Sequence, residues 1–440
     1  MAEQPEGSLM ALASAPPVLV VGAGPVGLLT AVALRLRDVP VQVLERRREP
    51  SSASLASTFH PPVLDLLADL GLLNRLEPLG QQVKRIATWN LDRGERQEVD
   101  LAMLASSTKH PYRLHLEQQH LVAALEEWLE VLAPGSLIRG VEVLACDQAG
   151  PGENADTAKL HARDADGVLQ AFVGSWVVAA DGAHSLLRQT AALPFCGHDE
   201  IAPVVRLFLP RLPSLLEQKL APLTYVRRGD RSLSFLQMRH GWRVILRPAP
   251  EEVSCALACP SPLADAQREP PSPWSLELLS TVFKEEVDPG SWMKEAIEQD
   301  HYPIRQRRVE THCLGRLLLV GDAAHVTNTR GGLNMNFGLL EGWALAEALS
   351  SWWHSFQKPT SGFHENLNGV NPVRAWADCW QQRTANVLLP RTDCMRGSGT
   401  LFDLGSTSTS AGQEKAGLDL KALLIRATLL DLVHSDHLIP

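Results

Sequence analysis

The chain has 440 residues, 45% of them apolar and 21% charged, with 31 glycines and 30 prolines. That balance excludes a wholly disordered or fibrous protein, and the length predicts about two or three domains. A net charge of −9 offers no basic footprint for a phosphate backbone, so no nucleic acid is expected as a partner. The seven cysteines are an odd set with no CxxC pair, and no histidine sits at metal-ligand spacing beside Cys255 and Cys259. Neither a disulfide framework nor a metal site is expected, and a reducing compartment, the cytoplasm, is the simplest reading.

No charge occurs between Gly7 and Leu34, a run long enough for a signal peptide or a membrane span. Glu3 and Glu6 before it have the wrong sign for a signal peptide, and Pro16, Pro17 and Pro25 interrupt it. Its apolar residues change from the β-branched Val18–Val21 to the helix-forming Leu28–Leu34. The pattern predicts strand, turn and helix, with a flexible tail before about Ala15 and no transmembrane segment. The turn is Gly22-Ala23-Gly24-Pro25-Val26-Gly27, a GxGxxG. In such a turn Gly22 permits the tight bend, Gly24 lets the backbone approach a pyrophosphate, and Gly27 lets helix and strand pack closely. The helix then offers unpaired N–H groups and a positive dipole end to the phosphates. A second strand, Val41–Leu44, ends at Glu45, 18 residues past Gly27, where a carboxylate can accept from an adenosine ribose. The motif alone does not choose between FAD and NAD(P).

Further along, Ser57–Pro62 precedes a helix marked by Leu64, Leu67 and Leu70. The spacing of Leu121, Leu125, Trp128, Leu129 and Leu132 predicts another. An apolar strand, Trp176–Ala180, runs into Asp181-Gly182, and Ser185 is placed to cap the helix that follows. Strands are expected at Ser232–Met238 and Trp242–Arg247, joined by Arg239-His240-Gly241 as a hairpin. Trp242, Val244 and Leu246 alternate there with Arg243, Ile245 and Arg247, so at least one face is apolar. Short helices are expected around Leu276–Phe283 and Trp292–Glu298. A last apolar strand, Arg316–Val320, ends in Gly321-Asp322, followed by Gly331-Gly332 and a helix through Trp343–Ala346. Residues 356–372 and 397–416 read as loops, and Leu418–Val433 as a final helix that docks on its own protein. Trp and Leu abundance suits a hydrophobic substrate and a packed core equally.

VVGAGPVGLL, AADGAHSLLR and LLLVGDAAH, in this order, resemble the FAD-dependent monooxygenases of the aromatic hydroxylase type, class A flavoprotein monooxygenases with the p-hydroxybenzoate hydroxylase fold. The resemblance covers roughly residues 16–390. It implies an α/β fold: a Rossmann-like FAD-binding domain with an inserted β-sheet substrate domain and C-terminal helices. The FAD domain would comprise 16–80, 110–190 and 311–395, and the substrate domain 81–109 and 191–310. Residues 396–440 would be a linker and C-terminal helix.

By the same resemblance, Gly22, Gly24 and Gly27 would bind the FAD pyrophosphate and Glu45 its adenosine ribose. Arg46 is open between solvated surface charge and a contact to flavin or NADPH. Arg113 and Gln118 would lie along the FAD, Asp181 and Gly182 would lie on it with Arg188 supporting their turn, and Asp322 would take ribityl or ribose hydroxyls. Gly332, Asn334 and Met335 begin the helix that would aim its positive end at the flavin pyrimidine. His60, Thr329 and Trp242 are candidates for the substrate or flavin vicinity, and His184 and His325 read as structural. The implied reaction uses NAD(P)H, bound transiently, and O2 to hydroxylate or epoxidise a small aromatic or hydrophobic substrate through a flavin C4a-hydroperoxide. No metal or side-chain triad is implied, and a homodimer is compatible with it. The pattern departs at Thr329, where the family has proline, and at Asn334, where it has glycine; Asn336, Gly338 and an acid, Glu341, are kept. Those departures keep two alternatives open: a flavin oxidoreductase of the same fold without oxygen insertion, and a non-catalytic FAD-binding homologue.

Overall fold

The computed structural model describes residues 15–50, 56–148, 157–200, 202, 204–257, 273–284, 298–356, 371–398 and 420–434. The expected N-terminal tail and most of residues 292–298, 356–372 and 397–416 lie outside these described residues.

The run Val18–Val21 is apolar at every position because it is the centre of a parallel sheet covered on both faces. It pairs in parallel with Val41–Glu45 on one side and Trp176–Ala179 on the other. Leu317–Leu319 and Leu137–Arg139 extend the sheet in parallel, and Cys313–Leu314 closes one edge antiparallel, giving six strands. Val18, Val20 and Val43 pack into a core shared with helices Pro25–Arg35, Gln118–Leu132 and Leu333–Phe356. Leu19, Val21 and Leu44 pack on the opposite side with Val141, Leu160 and Leu187. Strands from three distant parts of the chain thus end side by side at one edge, where Gly22, Glu45, Asp181 and Asp322 follow them. Ligands of open parallel sheets bind at such an edge.

A second sheet has seven strands, in the order Glu298–Tyr302, Val204–Leu209, Gly241–Arg247, Arg231–Met238, Leu223–Arg228, Arg85–Asn90, Glu95–Asp100. The hairpin at 231–247 is present in register, with Leu236 opposite Arg243 and Ser234 opposite Ile245. One face, bearing Leu207, Leu233, Phe235, Trp242, Val244 and Leu246, packs on helix Pro273–Val282. The other face is turned toward the first sheet.

The C-terminal segment forms two helices, Leu420–Ala427 and Leu430–His434, rather than one. The break has a local cause: Leu429 has a φ of 64°, and the Thr428 hydroxyl donates to the Leu424 carbonyl at 2.7 Å. Leu424, Leu429 and Leu430 are buried in the main core, so the segment docks on its own protein. No helix of the described residues is long and apolar enough to cross a membrane.

Candidate cofactor and substrate cleft

A single cleft of about 700 Å³ runs between the two sheets, from the glycine turn to the free face of the seven-stranded sheet. The glycine turn supplies one end. Gly22 has a φ of 105°, and a Cβ there would lie 2.4 Å from the Ala180 carbonyl oxygen. A Cβ on Gly27 would lie 2.2 Å from the Gly22 oxygen, so that glycine is buried beneath the turn and does not line the cleft. Around Gly24 there is open space: nothing lies within 4 Å of its Cβ position. Helix Pro25–Arg35 starts there with proline in its first turn and no acidic residue, leaving its positive end free for an anion. Glu45 is held over the turn by the Ala23 N–H, which donates to Oε2 at 2.8 Å, and the Arg47 N–H, which donates to Oε1 at 2.9 Å.

Two further turns form the middle of the cleft. Asp181 Oδ2 accepts from the Leu186 N–H at 2.9 Å, while its buried Oδ1 has no protein partner. Burial raises this carboxyl above the ordinary range, and its hydrogen bonds oppose that. Ser185 caps the following helix by accepting from the Arg188 N–H. Arg188 donates to the Ala183 carbonyl at 2.8 Å and to the Ala323 carbonyl at 2.9 Å, tying the Asp181 turn to the Asp322 turn.

Asn334, at the first turn of helix Leu333–Phe356, links the two halves of the Gly321-Asp322 region. Its Nδ2 donates to Asp322 Oδ1 at 2.8 Å, and its Oδ1 accepts from His325 Nδ1 at 2.9 Å. The other nitrogen of His325 lies 3.1 Å from Glu341 Oε2, which also accepts from the Gly321 N–H at 2.7 Å. His312 Nε2 lies 3.1 Å from the second carboxylate oxygen, and all three of these side chains are fully buried. Burial alone would lower the His325 pKa, but the Glu341 carboxylate outweighs it and the net shift is upward. Burial likewise pushes Glu341 up, and the two histidines overcome it, leaving the carboxyl at about 2. Each ring nitrogen of His325 thus faces an oxygen, an arrangement that favours the imidazolium.

Of the expected site residues, Gly22, Gly24, Glu45, Arg46, Gln118, Asp181, Gly182, Asp322, Gly332, Asn334 and Met335 line this cleft together. Gln118 accepts from the Ala56 N–H at 3.2 Å. Arg113 lines the cleft too, beside Tyr225 and donating to the Ala427 carbonyl at 3.4 Å. Thr329 faces the cleft, its hydroxyl 3.3 Å from Arg247 Nη2 and 3.4 Å from the Tyr302 hydroxyl.

Two candidates are corrected. His60 is fully buried behind the cleft, where burial and Arg113 keep it neutral and it donates from Nε2 to the Gly331 carbonyl at 2.8 Å. It fixes the glycine turn from beneath. Trp242 points away from the cleft into the opposite core and donates to Glu217 Oε1 at 3.1 Å. The cleft face is the alternate one, Arg243, Ile245 and Arg247, joined by Arg206, Tyr225 and Ser234. Alternation in the strand carried that signal, with Arg243 and Arg247 on the face opposite the apolar Trp242, Val244 and Leu246.

The family known as FAD binding domain matches residues 16–354, and the chain belongs to it. A 6-hydroxy-3-succinoylpyridine 3-monooxygenase of Pseudomonas putida is 28% identical over 345 residues, 77% of this chain and 80% of that protein. A para-nitrophenol 4-monooxygenase of a Pseudomonas species is 30% identical over 351 residues, 76% of this chain and 77% of that protein. The crystal structure of a p-nitrophenol 4-monooxygenase from Pseudomonas putida superposes with a TM-score of 0.70 at 24% identity, covering 96% of this chain and 95% of the other. Together the family match and the sequence relatives make the protein an FAD-dependent monooxygenase of the aromatic hydroxylase type, with NAD(P)H as co-substrate.

Proposed function

We propose that the protein inserts one atom of O2 into a small aromatic ring held against the seven-stranded sheet, with the residues named above holding FAD along the cleft. The supporting observation is the continuity of the cleft: the open space over Gly24, the unpartnered Asp181 Oδ1 and the start of helix Leu333–Phe356 all face one cavity, whose far wall is a sheet of mixed arginine, tyrosine and leucine side chains. These fit a dinucleotide. Gly22, Gly24 and the N–H groups of helix Pro25–Arg35 take the pyrophosphate, Glu45 the adenosine ribose, and Asp181 and Asp322 the linker hydroxyls. Bound FAD supplies the hydride acceptance and oxygen activation that no side chain here can perform.

The chain's own part is positioning. Gly332, Asn334 and Met335 present helix N–H groups that favour negative charge on a ring placed over them. Asn334 holds Asp322 in place by a bond anchored through His325 on Glu341. The FAD domain is proposed to comprise 16–80, 110–190 and 311–395, and the substrate domain 81–109 and 191–310. The described cysteines are all free thiols, which supports a reducing, cytoplasmic setting.

Purified protein should be yellow with flavin absorbance, and an aromatic substrate should accelerate its NAD(P)H oxidation with label from ¹⁸O2 entering the product. Gly24→Ala, whose new methyl group meets no protein atom, should stay folded and lose FAD. A folded wild-type sample that stays colourless with added FAD overturns the reading; a yellow one that reduces substrates without incorporating label leaves a flavin reductase.

A further inference from the structure

The buried cluster behind the cleft needs more protons than a neutral histidine can supply. Asn334, one of the two departures from the family pattern, has its amide orientation fixed by Nδ2, which donates to Asp322 Oδ1 at 2.8 Å and to the His325 carbonyl at 3.4 Å. Its Oδ1 therefore faces His325 Nδ1, at 2.9 Å, and needs a proton there. His325 Nε2 faces Glu341 Oε2 at 3.1 Å and needs a second. An imidazole carries one such proton and an imidazolium two, so the chain from Glu341 to Asp322 is complete only with a charged ring. Burial works against that charge, and Glu341 outweighs it.

Each element packed around the ring contributes a definite set of groups. Helix Leu333–Phe356 brings Glu341, Asn334 and the Phe337 ring, whose centroid is 5.1 Å from that of His325. The turn Gly321–Ala323 brings Asp322, and His312 lies against the far oxygen of Glu341. On the paired strand, Arg308 stands opposite His325 and its Nη1 donates to the Val309 carbonyl at 3.3 Å. Helix Pro372–Arg383 turns Trp376 to His312 and Trp380 to Phe337; its Arg374 and Asp378 are exposed, and its Arg383 lies over the Trp380 ring. Glu341, His312 and His325 are sealed from water, whereas Asp322 is open to the cleft.

Removing one proton breaks this chain at a definite place. The Nε2 bond joins opposite charges and is the stronger, so the proton leaves Nδ1 for solvent. A bare Nδ1 is an acceptor facing the Asn334 oxygen, and the amide must turn over to donate to it. That turn sets the amide oxygen against the Asp322 carboxylate, and a hydrogen bond becomes a repulsion. We propose that Asn334 and His325 are positioning residues that make FAD binding proton-dependent: the charged ring holds Asp322 ready for a cofactor hydroxyl, and its deprotonation turns the amide and weakens the hold on FAD. This rests on the proposed function, which gives Asp322 to the linker hydroxyls. The hold is complete below the elevated pKa of His325 and is lost as pH rises through it.

The test dilutes FAD-loaded, full-length protein into buffers from about pH 6 to about pH 9, a span that brackets an elevated histidine pKa. Free flavin at equilibrium is read by its fluorescence, without turnover. The wild-type dissociation constant should rise about tenfold across that span, the worth of one hydrogen bond to a charged group. Asn334→Ala, a change at a half-buried position in the first turn of a helix, should bind FAD near the wild type's weaker, high-pH value at every pH. Asp322→Asn should also lose the slope, because the new amide can meet either orientation of Asn334. In wild-type protein carrying ¹⁵N-labelled histidine, one ring should lose its Nδ1 proton over the range in which FAD is released. A wild-type constant that does not change with pH overturns the inference, whatever the variants do. So does a slope of wild-type size in Asn334→Ala, or histidine rings that all titrate outside the range of release. Each of these leaves the cofactor reading intact. Protein that takes up no FAD at any pH fails that reading, and the inference with it.

Discussion

Glu341 carries more of the site than its distance from the cleft suggests. It joins the Gly321 N–H, His325 and His312, and through His325 it fixes Asn334 and Asp322. The histidine that gains charge on folding stabilises most below its unfolded pKa of about 6.5, and that contribution is lost as pH rises through its elevated folded value. The glutamate, held at about 2, contributes above its unfolded value of about 4.3 and loses that contribution as pH falls toward 2. The cluster therefore stabilises most between about pH 4.3 and 6.5. Melting temperatures measured across pH should show a decline above that window. Glu341→Gln should lower stability by about 3 to 5 kcal/mol, because it strands a buried cation, and should flatten the decline. An unchanged pH profile in the variant would count against the cluster as its source. Asn334 and Thr329, the departures from the family pattern, both have partners: one bridges His325 and Asp322, and the other borders Arg247 and Tyr302.

Single elements were readable where their periodicity matched a packed face. Val18–Val21, the helix at Gln118–Leu132 and the hairpin at 231–247 followed from runs and alternations that burial imposes. The direction of the hairpin's faces did not. A tryptophan in a strand suits either a substrate cavity or a core, and Trp242 went to the core because helix Pro273–Val282 offers that face an apolar partner. The C-terminal segment was legible as apolar and amphipathic, but its break at Leu429 depends on a backbone angle with no sequence cue comparable to glycine. Those two helices also support a cleft residue from behind, since the Ala427 carbonyl accepts from Arg113 at 3.4 Å. Removing residues 399–440 would delete Leu424, Leu429 and Leu430 and expose the core they cover. The melting temperature should fall by about 5 to 10 °C. A truncated protein with unchanged melting would show the segment to be dispensable.

At the level of the whole molecule, the three motifs implied one cofactor site from three distant segments, and the sheet order Leu317–Leu319, Trp176–Ala179, Val18–Val21, Val41–Glu45 brings their ends together. The buried ion cluster and the cationic wall were not legible, because each is made by residues far apart in the chain whose types are individually ordinary. His312 and Glu341, or Arg113 and Arg247, acquire meaning only once they are enclosed together. The seven-stranded sheet likewise joins Arg85–Asp100 with 204–302, so neither sheet can form from one continuous stretch. Unfolding should accordingly be one transition for both. Far-ultraviolet dichroism and the fluorescence of the 11 tryptophans should melt together, and FAD at about 100 times its dissociation constant should stabilise both by about 2.7 kcal/mol. Separate transitions, with FAD moving only one, would show the two sheets to be independent.

The bridge from Arg188 to the Ala183 and Ala323 carbonyls sets an order of events during synthesis. The glycine turn is made first, but the strand and turn that complete its surroundings follow some 300 residues later. At ordinary elongation rates of about 5 to 20 residues per second, that interval is roughly 15 to 60 s. Throughout it the nascent glycine turn has no partner turn at Asp322 and nothing to share a dinucleotide with. Cofactor capture therefore belongs to the last stage of the chain's emergence, and a ribosome-stalled fragment ending before Leu317 should leave FAD in solution.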